Sequence, residues 1–433
     1  MNDAIHPDEA INLLLDTIDR LTHRGQPSCE VLPLEEALGR VLPYPVYSPI
    51  DQPPFPKAAM DGYAHAAPEE SSQPPSFRVV GTVGAGERFP RPLASGEAVR
   101  IMTGAPLPEG TVGVQRVEWT RREGERVYFT RPETASNRIA AGENGRAEEL
   151  LLTPRILQSQ DLGVLAAAGY RSVGVSKRPK VAIFSTGDEI KAPRFTVSRL
   201  DTMGRDLLPS KAIADLIQQA TEELDGRYIY DSNGYQLTTH ALSAGAQAQF
   251  LGILPDRPEL LTARVAETIE DYDVLILSGG VSMGDYDYLP RIVGDLGFTI
   301  LFHGLAMRPG KPTLCAIRAG KILFGLPGNP LSTFVNFEVL IRPVVYRLMG
   351  LHWEAPRVRG TLTEDLRRKG TDRVEFLPVW FDYEQQQVVP LPYHGSSMIT
   401  VLAKANGLIR MDVGVSHLPK GAAVYVRPIR PFY

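Results

Sequence analysis

The apolar run Val274 to Leu277 opens directly into Ser278-Gly279-Gly280-Val281-Ser282-Met283-Gly284-Asp285-Tyr286-Asp287. Adjacent glycines let a backbone approach a ligand closely, and amide N–H groups at the start of a following helix favour an anion. A buried strand that ends this way suits a phosphate-bearing ligand. Two other apolar runs end similarly. Val181 to Phe184 leads into Ser185-Thr186-Gly187-Asp188-Glu189, and Ile322 to Phe324 into Leu326-Pro327-Gly328-Asn329-Pro330. In the last loop Asn329 is placed to cap a helix that has Pro330 at its first position. Each loop alone is also a plain turn. Three of them on one rim of a sheet predict a ligand site, because doubly wound sheets bind ligands beyond the carboxyl ends of their strands.

A fourth segment, Met307-Arg308-Pro309-Gly310-Lys311-Pro312, sets two cations each directly before a proline. It reads equally as a solvated hairpin and as an oxyanion clamp, in which positioned cations hold a tetrahedral anion at small entropic cost. Carboxylates gather near the same loops: Asp188, Glu189, Asp231, Asp256, Asp285 and Asp287. Beside a phosphate they would suit Mg²⁺, which takes few carboxylates plus substrate oxygens; singly, each is also an ordinary surface or capping residue. The chain has no Walker loop, no HExxH and no G-x-S-x-G elbow, and its eight histidines are scattered.

The elements that must position these residues follow from periodicity. Acidic residues after Pro7, with Ala10, Ile11, Leu14, Leu15, Ile18 and Leu21 at helical spacing, predict an N-terminal helix. A second short helix is expected at Leu34 to Arg40. Six prolines between residues 43 and 56 make an extended linker or edge. Short β-rich pieces run from Phe77 to Arg131, and helix returns at Pro154 to Ala168. From Pro179, strands alternate with helices at Gly234 to Ala244, Glu259 to Tyr272, Tyr288 to Leu296 and Ser332 to Met349, which implies a parallel doubly wound sheet. After Pro356 the chain is β-rich again. The expected architecture is a multidomain α/β protein. A doubly wound, mostly parallel sheet domain (178–350) is joined to a helical stalk (1–47 and 147–177), an inserted small β domain (48–146) and a C-terminal β-barrel-like domain (351–433).

Composition narrows the function classes. The net charge of −4 gives no basic footprint for nucleic acid. The two cysteines, Cys29 and Cys315, lie far apart, which fits neither a disulfide framework nor a thiolate zinc site. No run approaches a membrane span and the N-terminus lacks signal-peptide character, so a cytoplasmic protein is expected.

With these loops in hand, the chain resembles the MoeA/gephyrin E-domain family of molybdopterin molybdenumtransferases nearly end to end. The likeness is carried by Leu34 to Leu42, Ala59-Met60-Asp61-Gly62-Tyr63-Ala64, Thr103-Gly104-Ala105-Pro106-Leu107-Pro108, Ser185 to Glu189, Asp231-Ser232-Asn233, Ser278 to Gly284, Pro309 to Pro312, Leu326 to Pro330 and Ala405-Asn406-Gly407-Leu408. The resemblance implies a four-domain homodimer that converts adenylylated molybdopterin and molybdate to molybdenum cofactor and AMP with Mg²⁺. Molybdoenzymes or cofactor-biosynthesis proteins would be further partners.

By position, Asp231 and Asp256 resemble the Mg²⁺-associated acids. Asp61, Thr103 and Glu189 match other active-site positions. Arg308, Lys311, Pro312, Arg373 and Ser396 resemble a molybdate pocket. Gly279, Gly280, Ser282, Gly328 and Asn329 would hold the pterin phosphate or nucleotide, with Asp287 and Arg138 as further substrate contacts. Other activities fit the same motifs: a carrier or scaffold that binds molybdopterin without turnover, and a molybdopterin adenylyltransferase.

The chain departs from the family pattern at several places. A customary lysine is Pro290, and a cation-rich acidic motif is Arg138 to Asn144. Pro56-Lys57-Ala58 precedes Ala59, and Arg308 stands for a lysine. About thirty extra residues, Arg194 to Arg227, separate Glu189 from Asp231. Ile213, Leu216, Ile217 and Leu224 predict a helix in that insert.

Overall fold

The computed structural model describes residues 4–21, 27–69, 75–194, 218–280 and 288–430. The chain divides into two compact units, Val31–Gly174 and Met1–Glu30 with Val175–Tyr433.

The first unit is built on a six-stranded sheet ordered Gly113–Arg116, Gly62–His65, Glu97–Ile101, Ser76–Val83, Arg126–Phe129, Thr120–Glu123. Strand periodicity divides its apolar side chains between two small cores. Ala64, Val99 and Ile101 face one, while Tyr63, Ala98 and Phe77 face the other. The helix expected at Leu34 to Arg40 is a single 3₁₀ turn, Leu34–Glu36, because Gly39 adopts a positive φ of 72° and Val41–Leu42 pairs with Arg155–Ile156. That pairing also delays the next helix to Ser159–Ala167.

In the second unit the N-terminal helix, Pro7–Leu21, buries Ala10, Leu14 and Ile18. Asp19 pairs with Arg347, and Asp8 takes both terminal nitrogens of Arg410 at 2.7 and 2.8 Å. The α/β sheet comprises β1 (Lys180–Thr186), β2 (Gln247–Leu254), β3 (Val274–Ser278), β4 (Thr299–His303), β5 (Leu314–Arg318) and β6 (Lys321–Leu326). Their order is β2-β1-β3-β6-β5-β4. Strands β2, β1, β3 and β6 are parallel; β5 and β4 add antiparallel, so the sheet is mixed. Strand β4 is a half-exposed edge that the strand–helix rhythm did not signal.

Helices α1 (Asn233–Ser243), α2 (Pro258–Ile269), α3 (Leu289–Asp295) and α4 (Pro330–Asn336) cover both faces. Alternate residues Ala182, Phe184, Leu275 and Leu277 pack with α2 and α3. Helix α1 instead touches β1, β2 and α4. Past α4 the chain stays helical to Leu348, but through a π-helical turn at Phe337–Ile341.

The C-terminal strands β7 (Val358–Leu362), β8 (Val374–Asp382), β9 (Gln387–Pro390), β10 (Gly407–Met411) and β11 (Ala423–Pro428) form a closed five-stranded barrel, since β8 pairs with β9 and also with β10. Inside lie Val379, Phe381, Val388, Ile409 and Val426. Gly407 is required there: a Cβ would stand 2.3 Å from Val426. Asn406 accepts from Phe381 N–H at 2.6 Å and donates to its carbonyl at 2.8 Å, so its side chain continues the β10 ladder.

Candidate active site

Strands β1 and β3 are neighbours, yet β2 lies beyond one and β6 beyond the other. Their carboxyl ends therefore flank the switch point of the sheet, where a crevice opens. Gly279 sits at its floor with φ 106°, and a Cβ there would be 2.4 Å from the Thr186 carbonyl oxygen. Only glycine permits that approach. Thr186, Asp256, Gly279, Gly280 and Tyr288 line the small pocket above it. Ser282 and Asp287 lie outside the described residues.

One side chain ties two of the rim loops to the start of α1. Asn233, at the start of α1, donates through Nδ2 to the Ser278 hydroxyl at 2.8 Å and to the Gly328 carbonyl at 2.7 Å. A Cβ on Gly328 would lie 4.0 Å from the Gly279 Cα. Asn329 occupies the cap position of α4 with Pro330 behind it, but its side chain makes no cap hydrogen bond. Thr333 N–H makes the first helical bond to the Asn329 carbonyl, and the Thr333 hydroxyl donates to the Pro327 carbonyl at 2.9 Å.

The acids fall into two environments. Asp231 is buried; it accepts from the Ser185 hydroxyl at 2.9 Å and from Gly234 N–H at 3.1 Å, which caps α1. Asp256 lies beside Asp188, whose Oδ1 accepts from Asp256 N–H at 3.4 Å, and beside Glu189. Burial, then the Glu189 and Asp188 charges, raise the Asp256 carboxyl above its ordinary range. Its Oδ1 is buried without a hydrogen-bond partner. Among the described residues no three His, Cys, Asp or Glu side chains are grouped to hold a metal.

Glu189 and Asp231 are tied by backbone. Ile190–Lys191 pairs in parallel with Ile229–Tyr230, with Ile229 N–H bonded to the Glu189 carbonyl and Asp231 N–H to that of Lys191. In sequence the insert lies between these two strands. Residues 218–224 are helical, and Glu223 accepts from the Tyr230 hydroxyl at 2.8 Å and pairs with Arg194 at 2.7 Å. Leu224 ends that helix half-buried; Ile213, Leu216 and Ile217 lie outside the described residues.

The cationic segment joins the barrel. Met307–Arg308 runs parallel to β8, with Arg308 in register with Glu375. Gly310 has φ 105°, and a Cβ on it would meet the Asn336 amide at 2.5 Å. Lys311 is exposed and Pro312 half-buried. Arg373 precedes β8 and pairs with Asp372 at 3.3 Å. The Ser396 carbonyl accepts from Leu331 N–H at 3.0 Å, which brings the segment after β9 against the start of α4.

Asp61, Thr103 and Arg138 belong to the Val31–Gly174 unit. Asp61 Oδ1 accepts from Thr103 N–H at 2.7 Å and from its hydroxyl at 2.8 Å, bonds that hold the carboxyl below its usual range. Arg138 is exposed and in register with Ala58. Of the departures, Pro290 falls in the first turn of α3, where a missing N–H costs nothing. Asn144 donates its backbone N–H to Gln52.

Sequence reasoning passed over Asn233, Arg368 and Glu375. Asn233 stood in the quoted Asp-Ser-Asn motif. Glu375 had no signal, because strand register alone places it beside Arg308.

Ligand loops at the switch point of a mixed sheet, coupled to a closed barrel and accompanied by a separate β unit, define a multidomain α/β ligand-binding class. The chain belongs to the MoeA family. Residues 5–169 match the MoeA N-terminal region (domain I and II), 182–347 the probable molybdopterin binding domain, and 359–429 the MoeA C-terminal region (domain IV). It is similar to the molybdopterin molybdenumtransferase of Nostoc sp., 32% identical over 96% of this chain and 92% of that one. The Bacillus subtilis protein of that name is 30% identical over 96% and 93%. A crystal structure of the molybdopterin biosynthesis MoeA protein of Pyrococcus horikoshii is 29% identical with a TM-score of 0.78, covering 99% of this chain and all of that one.

Proposed function

We propose that the protein is a molybdenum insertase, converting adenylylated molybdopterin and molybdate to molybdenum cofactor and AMP. The observation that carries this reading is that one helix, α4, follows the glycine-bearing rim loop, takes the Ser396 carbonyl at its Leu331 N–H, and at Asn336 meets Gly310 of the cationic segment. Cleaving a phosphoanhydride needs charge neutralised on phosphate, and loading the pterin needs an oxyanion held nearby. The crevice suits the first task and the cations suit the second.

In this reading Gly279, Gly280, Gly328 and Asn329, with Ser282 and Asp287, bind pterin phosphate or nucleotide. Arg308, Lys311, Pro312, Arg373 and Ser396 receive molybdate. Mg²⁺ fits the carboxylates: the orphaned Oδ1 of Asp256, crowded by Glu189 and Asp188, gains a counter-charge from a divalent cation. Asp231 and Asp256 would hold the ion, with Glu189 beside Asp256 and the Ser185 hydroxyl fixing Asp231; when bound, the ion neutralises phosphate charge. Asp61, Thr103 and Arg138 keep their expected catalytic and substrate-contact roles in this reading. We further propose the four-domain division at 1–47 with 147–177, 48–146, 178–350 and 351–433, a homodimer, and a cytoplasmic setting. No helix among the described residues is long and apolar enough to cross a membrane.

The test is AMP release from adenylylated molybdopterin on adding protein, Mg²⁺ and molybdate, with a control lacking molybdate. Molybdate-dependent release supports the insertase. Tight binding without release favours a carrier or scaffold and directs attention to Pro290 and Asn144.

A further inference from the structure

Arg308 carries its charge into the proposed oxyanion pocket on a guanidinium, and a guanidinium is useful only when its fork faces the ligand. The neighbour that sets its direction is Glu375. This carboxylate has only 6% of its side chain exposed and stands between two arginines. Oε1 faces Nε of Arg308 at 3.5 Å, and Oε2 faces a terminal nitrogen of Arg368 at 3.6 Å.

The two arginines differ. Arg368 is as buried as Glu375, and its guanidinium is committed to carbonyls, at 2.6 Å to Val415 and 2.8 Å to Arg373. Arg308 is 56% exposed and approaches Glu375 through Nε, the inner edge of the guanidinium. That leaves its terminal nitrogens for another acceptor. Tyr393 packs at the same carboxylate; burial first, and then the Glu375 charge, push its phenol up.

We propose that Glu375 is the positioning residue of the oxyanion pocket: it holds Arg308 edge-on, so that the two terminal nitrogens present a fork to a tetrahedral dianion. The inference rests on the reading of this segment as the molybdate site. A bidentate fork adds geometry to charge, whereas a lysine ammonium at the same place is a rotating point charge that needs no such orientation. The Glu375 carboxylate therefore matters to the ligand only while residue 308 is an arginine.

A double-mutant cycle tests this, read by equilibrium dialysis of molybdate and by molybdate KM in AMP release. Glu375→Gln is expected to weaken molybdate binding about tenfold and to raise KM in parallel, with kcat and nucleotide affinity held within about twofold. Arg308→Lys is expected to weaken binding similarly, and the double variant no further than Arg308→Lys alone. Effects that multiply in the double variant, or wild-type binding by Glu375→Gln, overturn the inference. Should Glu375→Gln fail to fold, Glu375→Asp carries the same cycle, because the shorter side chain moves the carboxylate off Nε. Arg373→Ala separates the two levels. Weak molybdate binding in that variant with wild-type binding by Glu375→Gln removes only the role of Glu375. Unchanged binding in all of these variants removes the molybdate site itself.

Discussion

The side-chain amide of Asn233 donates to the Gly328 carbonyl at 2.7 Å, and so fastens the loop after β6 to the start of α1. The same nitrogen reaches the Ser278 hydroxyl, so two rim loops and the start of α1 share one donor group. Such a bond costs little to make and more to leave unmade, because Asn233 and Ser278 are buried.

Asn233→Ala is therefore expected to cost about 1–3 kcal/mol of stability and to raise the KM for the pterin nucleotide more than that for molybdate. Thermal unfolding and the two KM values check this. Equal rises in both would show that the hub supports the whole unit and not the nucleotide loops.

Asp231 and Asp256 should respond oppositely to removal. Asp231 caps α1 from a buried position, so Asp231→Ala is expected to cost about 1–2 kcal/mol as well as activity. Asp256 is held above its ordinary range, so its ionised form is disfavoured in the fold. A raised acid pKa means stability is lost as pH rises through it. Asp256→Asn should thus raise the melting temperature at neutral pH, with the gain shrinking as pH falls through the raised value. Added Mg²⁺ should stabilise the wild type more than Asp256→Asn; equal shifts in both would place the ion elsewhere.

Glu338, in the π-helical turn, pairs with Arg342 at 2.6 Å and with Arg427 of the barrel at 3.2 Å. Burial opposes its ionisation, but the two arginines together hold its carboxyl below the ordinary range. Glu338→Ala leaves both cations uncompensated and is expected to cost about 3–5 kcal/mol, measured by urea unfolding. The conservative Glu338→Gln should lose less.

His240 packs between the rings of Phe334 and Phe337 at 4.7 and 4.8 Å, and burial pushes its imidazole down to about 4. A histidine whose folded pKa lies below its unfolded value of 6.5 stays neutral in the fold and takes up a proton on unfolding. Stability is then unaffected above pH 6.5 and falls between 6.5 and about 4, by roughly 3 kcal/mol at full protonation. His240→Phe should flatten that part of the pH–stability curve; an unchanged slope would assign it to another group.

Much of this architecture was legible in the chain itself. Unbroken apolar runs such as Val274 to Leu277 signal strands buried on both faces, and the glycine-bearing loops that follow them mark the rim, because local propensity and turn chemistry act over a few residues. The β-rich stretch expected after Pro356 holds the barrel strands Gly407–Met411 and Ala423–Pro428. Local signals failed where a distant partner decides. The Leu34 turn is 3₁₀ because its neighbours pair across the chain, and the Asn329 side chain makes no cap bond to α4 although its carbonyl accepts the first helical bond. The edge strand β4 exists because β5 offers it a ladder. Likewise, residue types alone identified Arg308 as a cation and Asp231 as an acid. Only tertiary structure set Glu375 against Arg308 and turned Asp231 into the buried cap of α1, since register and burial arise from contacts between residues remote in sequence.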